Sequence, residues 1–221
     1  MHRRTRGRGS TVPSVITAGV DLATDPKRTA LATIDWAPGN AVVTDLRLGV
    51  EDRDIAEAAA GAVKLGLDCP LGWPDDFVKF VNAHHDGHVV APRDVSGKDW
   101  RRRLAYRATD RAVREATGLQ PLSVAADRIG LTAMRAAGLL AGLAKAGRPV
   151  DRTGSGIVLE VYPAASLYCW RLPYREYKGR DNQSARDLLI RELLGTAPWL
   201  DLREHAGARA GSRCRQRRWP R

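Results

Sequence analysis

Gly66-Leu67-Asp68-Cys69-Pro70-Leu71-Gly72-Trp73-Pro74 decides how the rest of the chain is read, because an apolar run ends there on a carboxylate and passes into a Pro/Gly-rich loop. Ala62, Val63, Leu65 and Leu67 have the composition of a strand. Pro70 closes it, since proline has no N–H for a ladder and restricts the residue before it. Asp68 is therefore expected at the C-terminal tip of a strand. Open α/β sheets bind ligands in the crevice beyond those tips. Gly19-Val20-Asp21-Leu22 repeats the Gly-apolar-Asp pattern, so a second carboxylate is expected at the end of a second strand of the same sheet.

At 221 residues the chain is long enough to bury a full core in one domain. Its net charge of +11 is concentrated at the ends. Residues 1–10 carry four Arg and no acid, and residues 203–221 carry seven Arg against Glu204, so the body between them is close to neutral. The reading is a basic arm over 1–12, a domain over 13–202 and a basic tail over 203–221. Both ends have too few apolar residues to fold alone; the tail is either a disordered arm or the product of a shifted reading frame. Cys69, Cys169 and Cys214 are odd in number and lack metal-type spacing, which suits a reducing compartment. Pro13 and Asp21 interrupt any signal-peptide core, and the longest apolar stretch, Ile129 to Ala146, carries Arg135 and Lys145. A cytoplasmic protein with no membrane span is expected.

Period-two alternation over Val15 to Ala23 puts Ile16, Ala18, Val20 and Leu22 on one face, with Thr17, Gly19, Asp21 and Ala23 on the other. Thr29 to Trp36 and Ala41 to Leu48 flank the turn-forming Ala37-Pro38-Gly39-Asn40, so the first three strands are read as an antiparallel meander. Asp25-Pro26-Lys27-Arg28 is the first turn, either solvated or placed to meet a phosphate. Asp52 to Ala62 is an alanine-rich helix with acids in its first turn. Asp75 to Asn82 is a short helix with Phe77, Phe80 and Val81 inward, and His84-His85-Asp86-Gly87-His88 follows as a polar loop without a metal-binding companion. From Trp100 one helix is expected, with Arg103, Arg107, Arg111 and Arg114 at i, i+4, i+8 and i+11. That stripe suits either a phosphate backbone or a solvated face paired with its own acids. Leu131 to Ala146 is a helix against the sheet, and Ile157 to Tyr162 is a further buried strand containing Glu160. Ala164 to Trp170 and Ser184 to Leu194 are helices separated by the polar segment Tyr174 to Gln183. A hairpin pair, a crossover helix and further strands place the chain in the α/β class.

Asp21, Asp68 and Glu160 each interrupt an apolar run, where an ionised group costs several kcal/mol unless compensated. Two carboxylates about 4 Å apart repel by about 4 kcal/mol at an effective dielectric of ~20. A hard divalent cation with oxygen ligands is one compensation, and Mg²⁺ or Mn²⁺ there could serve phosphate chemistry. Arginine partners are the other, and they would make the acids structural.

Taken together, Gly19-Val20-Asp21-Leu22-Ala23 with Pro26-Lys27-Arg28-Thr29, Leu67-Asp68-Cys69-Pro70-Leu71-Gly72-Trp73-Pro74, Arg107-Ala108-Thr109-Asp110-Arg111 and Leu159-Glu160-Val161-Tyr162-Pro163 resemble the predicted RNase H-like nuclease family catalogued as domain of unknown function 429. The resemblance spans about Val15 to Leu202. It implies an RNase H-like fold with a five-stranded mixed sheet flanked by helices. It also implies that Asp21, Asp68 and Glu160 form the acidic group that binds Mg²⁺ or Mn²⁺ and catalyses phosphodiester hydrolysis. Nucleic acid, DNA or RNA, is the implied partner, for which Arg103, Arg107 and Arg111 of the arginine stripe would be the contacts read from spacing; Arg107 and Asp110 also match a further polar motif of the family. RNase H-like nucleases add an acid from a late helix. Here Leu202 to Arg221 takes that place with Glu204 as its one acid, which implies a weakened hydrolase or, alternatively, a non-catalytic nucleic-acid-binding module of the same fold.

Overall fold

Alternation along β1 (Val15–Asp21) sets the two sides of the sheet: Ala18, Val20 and, just past the strand, Leu22 are buried, whereas Gly19 and Asp21 are exposed. The computed structural model describes residues 14–88, 97–179 and 181–202; the basic arm and the basic tail read from the sequence lie outside them. β1 pairs antiparallel with β2 (Ala30–Ala37), which pairs antiparallel with β3 (Asn40–Leu48). The β2–β3 turn needs Gly39, whose φ of 76° is in the left-handed region that glycine adopts freely. After α1 (Asp52–Gly61) the chain returns as β4 (Lys64–Leu67), parallel to β1, and later as β5 (Val158–Glu160), parallel to β4. With β6 (Leu200–Asp201), the order across the sheet is β5-β4-β1-β2-β3-β6.

The sheet therefore has six strands among the described residues, where five were expected. The extra one, β6 (Leu200–Asp201), pairs parallel with Ala41 and Val42 of β3. Two residues carry no readable alternation. What holds them is tertiary: Ala41 donates its N–H to the Trp199 carbonyl at 2.8 Å, and the Trp199 ring lies 5.4 Å from that of Trp36.

Ala18, Val20, Leu31, Leu65, Leu67 and Val158 supply the sheet's side of the core. α1 adds Ile55 and Ala59, and α5 (Gly130–Lys145) adds Ala136, Leu139, Leu140 and Leu143. No described helix is long and apolar enough to cross a membrane. On the sheet's other side, small residues matter. A Cβ placed on Gly66 would stand 2.9 Å from Val161 Cγ2, on a branched side chain with little freedom to move. Gly66→Ala is expected to cost about 1–3 kcal/mol by overpacking, measured as a lower urea midpoint with an unchanged slope.

Two expectations are corrected on the helical side. The helix α2 (Asp75–His85) runs on through His84 and His85, and Val81 is exposed while Phe77 and Phe80 are half-buried. The single arginine-striped helix is instead two, α3 (Gly97–Ala105) and α4 (Ala108–Thr117). The break falls at Arg107 because its backbone N–H is taken by Asp110 Oδ2 at 2.9 Å, a cap that starts a new helix. Arg111 donates to the Tyr106 carbonyl across the same break, and Arg103 is exposed on α3. Arg103, Arg107 and Arg111 do not share a helix face. α6 (Pro163–Cys169) and α7 (Gln183–Thr196) complete the helical elements used below.

Candidate active site

The site stands on the parallel tips of β1, β4 and β5. Val20 pairs with Leu67, and the Asp68 N–H donates to the Val20 carbonyl at 2.8 Å, extending the ladder one residue past β4. Asp21 and Asp68 are thereby neighbours on the face that also carries Gly19 and Gly66. Gly19 leaves open space beside the acids, while Val161 closes in on Gly66, and a groove of about 260 Å³ is lined by both glycines together with Val161, Pro163, Tyr177 and Lys178. Glu160 pairs with Leu67, one residue short of Asp68, so alternation turns its side chain to the opposite face. All three acids border one cleft of about 310 Å³ beyond the strand tips, walled by Leu22, Val113, Pro121, Leu122 and Ile129.

Glu160 is fully engaged. Arg107 Nη1 donates to its Oε2 at 2.7 Å and Nη2 to its Oε1 at 2.6 Å, while the Leu71 N–H donates to Oε2 at 3.0 Å. The same guanidinium reaches Asp110 through Nε at 3.1 Å and Nη2 at 2.7 Å. Arg107 thus forks between two carboxylates and joins the start of α4 to the end of β5. Its side chain is 12% exposed, with Asp110 at 5% and Glu160 at 26%. Burial works against the Arg107 charge, but hydrogen bonds and attraction from Glu160 and Asp110 outweigh it and hold the guanidinium above the ordinary arginine range.

Asp68 has a different counter-charge. Lys178 Nζ lies 3.5 Å from its Oδ2, on a side chain that is 66% exposed. Burial pushes the Asp68 carboxyl above its usual range; Lys178 draws it down, and the charges of Asp21 and Glu160 push it up. Burial disfavours the Lys178 ammonium, but Asp68 and Asp21 overcome this and raise its proton affinity. The segment carrying Lys178 is tied to the start of α7: Asn182 Nδ2 donates to the Lys178 carbonyl at 2.7 Å, and Arg186 donates to the carbonyls of Tyr177 and Gly179.

The structure therefore divides the three acids. Asp21 and Asp68 form a pair facing a lysine, and Glu160 belongs to an arginine clamp. Among the described residues no group of three or more His, Cys, Asp or Glu side chains is arranged to hold a metal ion. Arg107, read as a surface contact for nucleic acid, is an interior strut. Lys178 was not singled out from the sequence; it sits in a segment without periodicity, and only its place in space brings it to Asp68.

The model of a family described as Protein of unknown function (DUF429) matches residues 19–217. The chain belongs to this family. No curated protein and no solved structure matches it. The DUF429 match begins two residues before Asp21 and takes in Asp68, Arg107, Asp110, Glu160 and Lys178, so every group of the site lies inside the family's span.

Cys69, next to this DUF429 acid pair, is a free and buried thiol. Burial first, then the charges of Glu160 and Asp68, push it up to about 12. At pH 8 it is expected to stay a thiol and resist alkylation in the folded protein, reacting only on unfolding. Peptide mapping after iodoacetamide treatment checks this; the exposed Cys169 serves as the internal control.

Proposed function

We propose that this protein hydrolyses phosphodiester bonds in nucleic acid with the help of a divalent cation held by Asp21 and Asp68. The observation that carries the reading is that pair: two carboxylates brought side by side at parallel strand tips, in a cleft, with a partly exposed lysine for compensation. The donor set fits Mg²⁺ or Mn²⁺, which are held by one or two carboxylates and take the rest of their ligands from water and substrate phosphate. When bound, the cation would supply positive charge to a phosphate oxygen. Glu160 is left out of this set because strand alternation turns it to the opposite face and its charge is already met by Arg107; it borders the cleft from that side. An RNase H-like assignment is supported by the order β5-β4-β1-β2-β3, with β2 antiparallel to β1 and β4 and β5 parallel to it. Lys27 and Arg28, exposed in the turn just beyond β1, are candidate contacts for the substrate backbone.

The test is cleavage of labelled single- and double-stranded DNA and RNA with Mg²⁺ or Mn²⁺. Activity should disappear in EDTA and in Asp21→Asn and Asp68→Asn; cleavage that persists in EDTA would remove the proposal. The commitment of Glu160 to Arg107 favours a second reading, a non-catalytic nucleic-acid-binding module. Its signature is salt-sensitive binding, without cleavage, that survives both acid substitutions.

A further inference from the structure

The site holds two cationic side chains, and they differ in kind. Arg107 makes its hydrogen bonds to two carboxylates from a nearly buried position and cannot leave without stranding Asp110. Lys178 makes one long ion pair, 3.5 Å, with its ammonium also 6.0 Å from the centre of the Tyr177 ring, from a side chain that is two-thirds exposed. Its backbone is pinned by Asn182, so the flexible four-carbon stem can swing while the segment stays in place. A pair of neighbouring carboxylates needs a positive charge nearby. One ammonium meets that need in part, and a divalent ion meets it more fully. Lys178 also lines the cleft, the groove beside Gly19 and Gly66, and a further groove between Asp68, Tyr162 and Tyr174, so on leaving that acid its head remains inside the space a substrate would enter.

Resting on the reading of Asp21 and Asp68 as a cation site, we propose that Lys178 is a resident counter-ion that yields to the divalent cation and then binds a phosphate oxygen of the substrate. Lys178 thus has two successive partners. In the cation-free protein it neutralises Asp68. In the loaded protein it donates from its ammonium to the substrate, as a binding group that changes affinity more than turnover.

Lys178→Met keeps the stem and removes the charge. Titrating Mn²⁺ alone into the full-length protein by calorimetry should show binding about three- to tenfold tighter in Lys178→Met, because no ammonium competes for Asp68. With saturating Mn²⁺ and a single-stranded oligonucleotide, KM should rise about tenfold while kcat changes little. An unchanged Mn²⁺ affinity in Lys178→Met, alongside loss of binding in Asp68→Asn, would overturn the counter-ion role and leave the cation site standing. Mn²⁺ that fails to bind the wild-type protein, or binds Asp68→Asn equally well, would remove the cation site and this proposal with it. Tighter Mn²⁺ binding with an unaltered KM would overturn the assignment of substrate phosphate as the second partner.

Discussion

Arg107→Ala is expected to destabilise the protein by about 3–5 kcal/mol, the usual cost of leaving a buried charge without its partner. Asp110 is 5% exposed, and its charge is met by the guanidinium of Arg107. Glu160, at the end of β5, loses two charge-assisted bonds at the same time. For a domain of this size the loss corresponds to a fall in melting temperature of roughly 6–20 °C. Arg107→Lys should recover only part of it, since an ammonium cannot reach two carboxylates with the planar fork that the guanidinium uses. Adding Asp110→Asn to Arg107→Ala should cost less than the sum of the two single changes, because the second removes the charge that the first leaves stranded. A melting temperature for Arg107→Ala within about 2 °C of wild type would show that the clamp carries little of the stability.

Asp68→Asn is expected to act on cation binding and cleavage while leaving the fold intact. The carboxyl is partly desolvated and repelled by Asp21 and Glu160, so in the absence of a divalent ion its removal should change stability little. With Mn²⁺ at about 100 times its Kd, the wild-type protein should gain about 2.7 kcal/mol and Asp68→Asn should gain none. Cleavage should fall by about 100-fold or more, at least the loss typical of an outer-shell partner or a single electrostatic donor. Glu160→Gln provides the contrast. Because Glu160 is bound to Arg107 rather than beside the pair, its substitution should lower thermal stability and leave the Mn²⁺ response largely in place. Equal loss of Mn²⁺ stabilisation in Asp68→Asn and Glu160→Gln would restore the three-acid ligand set and refute the division of the site.

Much of the sheet was legible because burial on one face imposes a period of two. β1 alternates between buried and open positions, Pro38-Gly39 marks the hairpin that joins β2 to β3, and Pro70 marks the end of the Asp68 segment. The long apolar helix α5 was legible for a similar reason, since a helix packed on a sheet has to be apolar along one side. The arginines misled because spacing reports where side chains would point on an unbroken helix. Asp110 breaks that helix at Arg107, and nothing in the i, i+4 pattern reveals a carboxylate acting on the backbone three residues earlier.

The chain's own order of residues determined that three carboxylates would sit at or near the ends of apolar strands, since the run of core residues and the closing prolines are local features. Which of those acids share a charge environment was decided only by tertiary structure. The register of β4 on β1 makes neighbours of Asp21 and Asp68, whereas the register of β5 on β4 stops one residue short and turns Glu160 to the other face. Partners from α4 and from the segment before α7 then give one acid an arginine and another a lysine. Such pairings join positions far apart in the chain, and their energies depend on distance and burial that exist only once the strands have met.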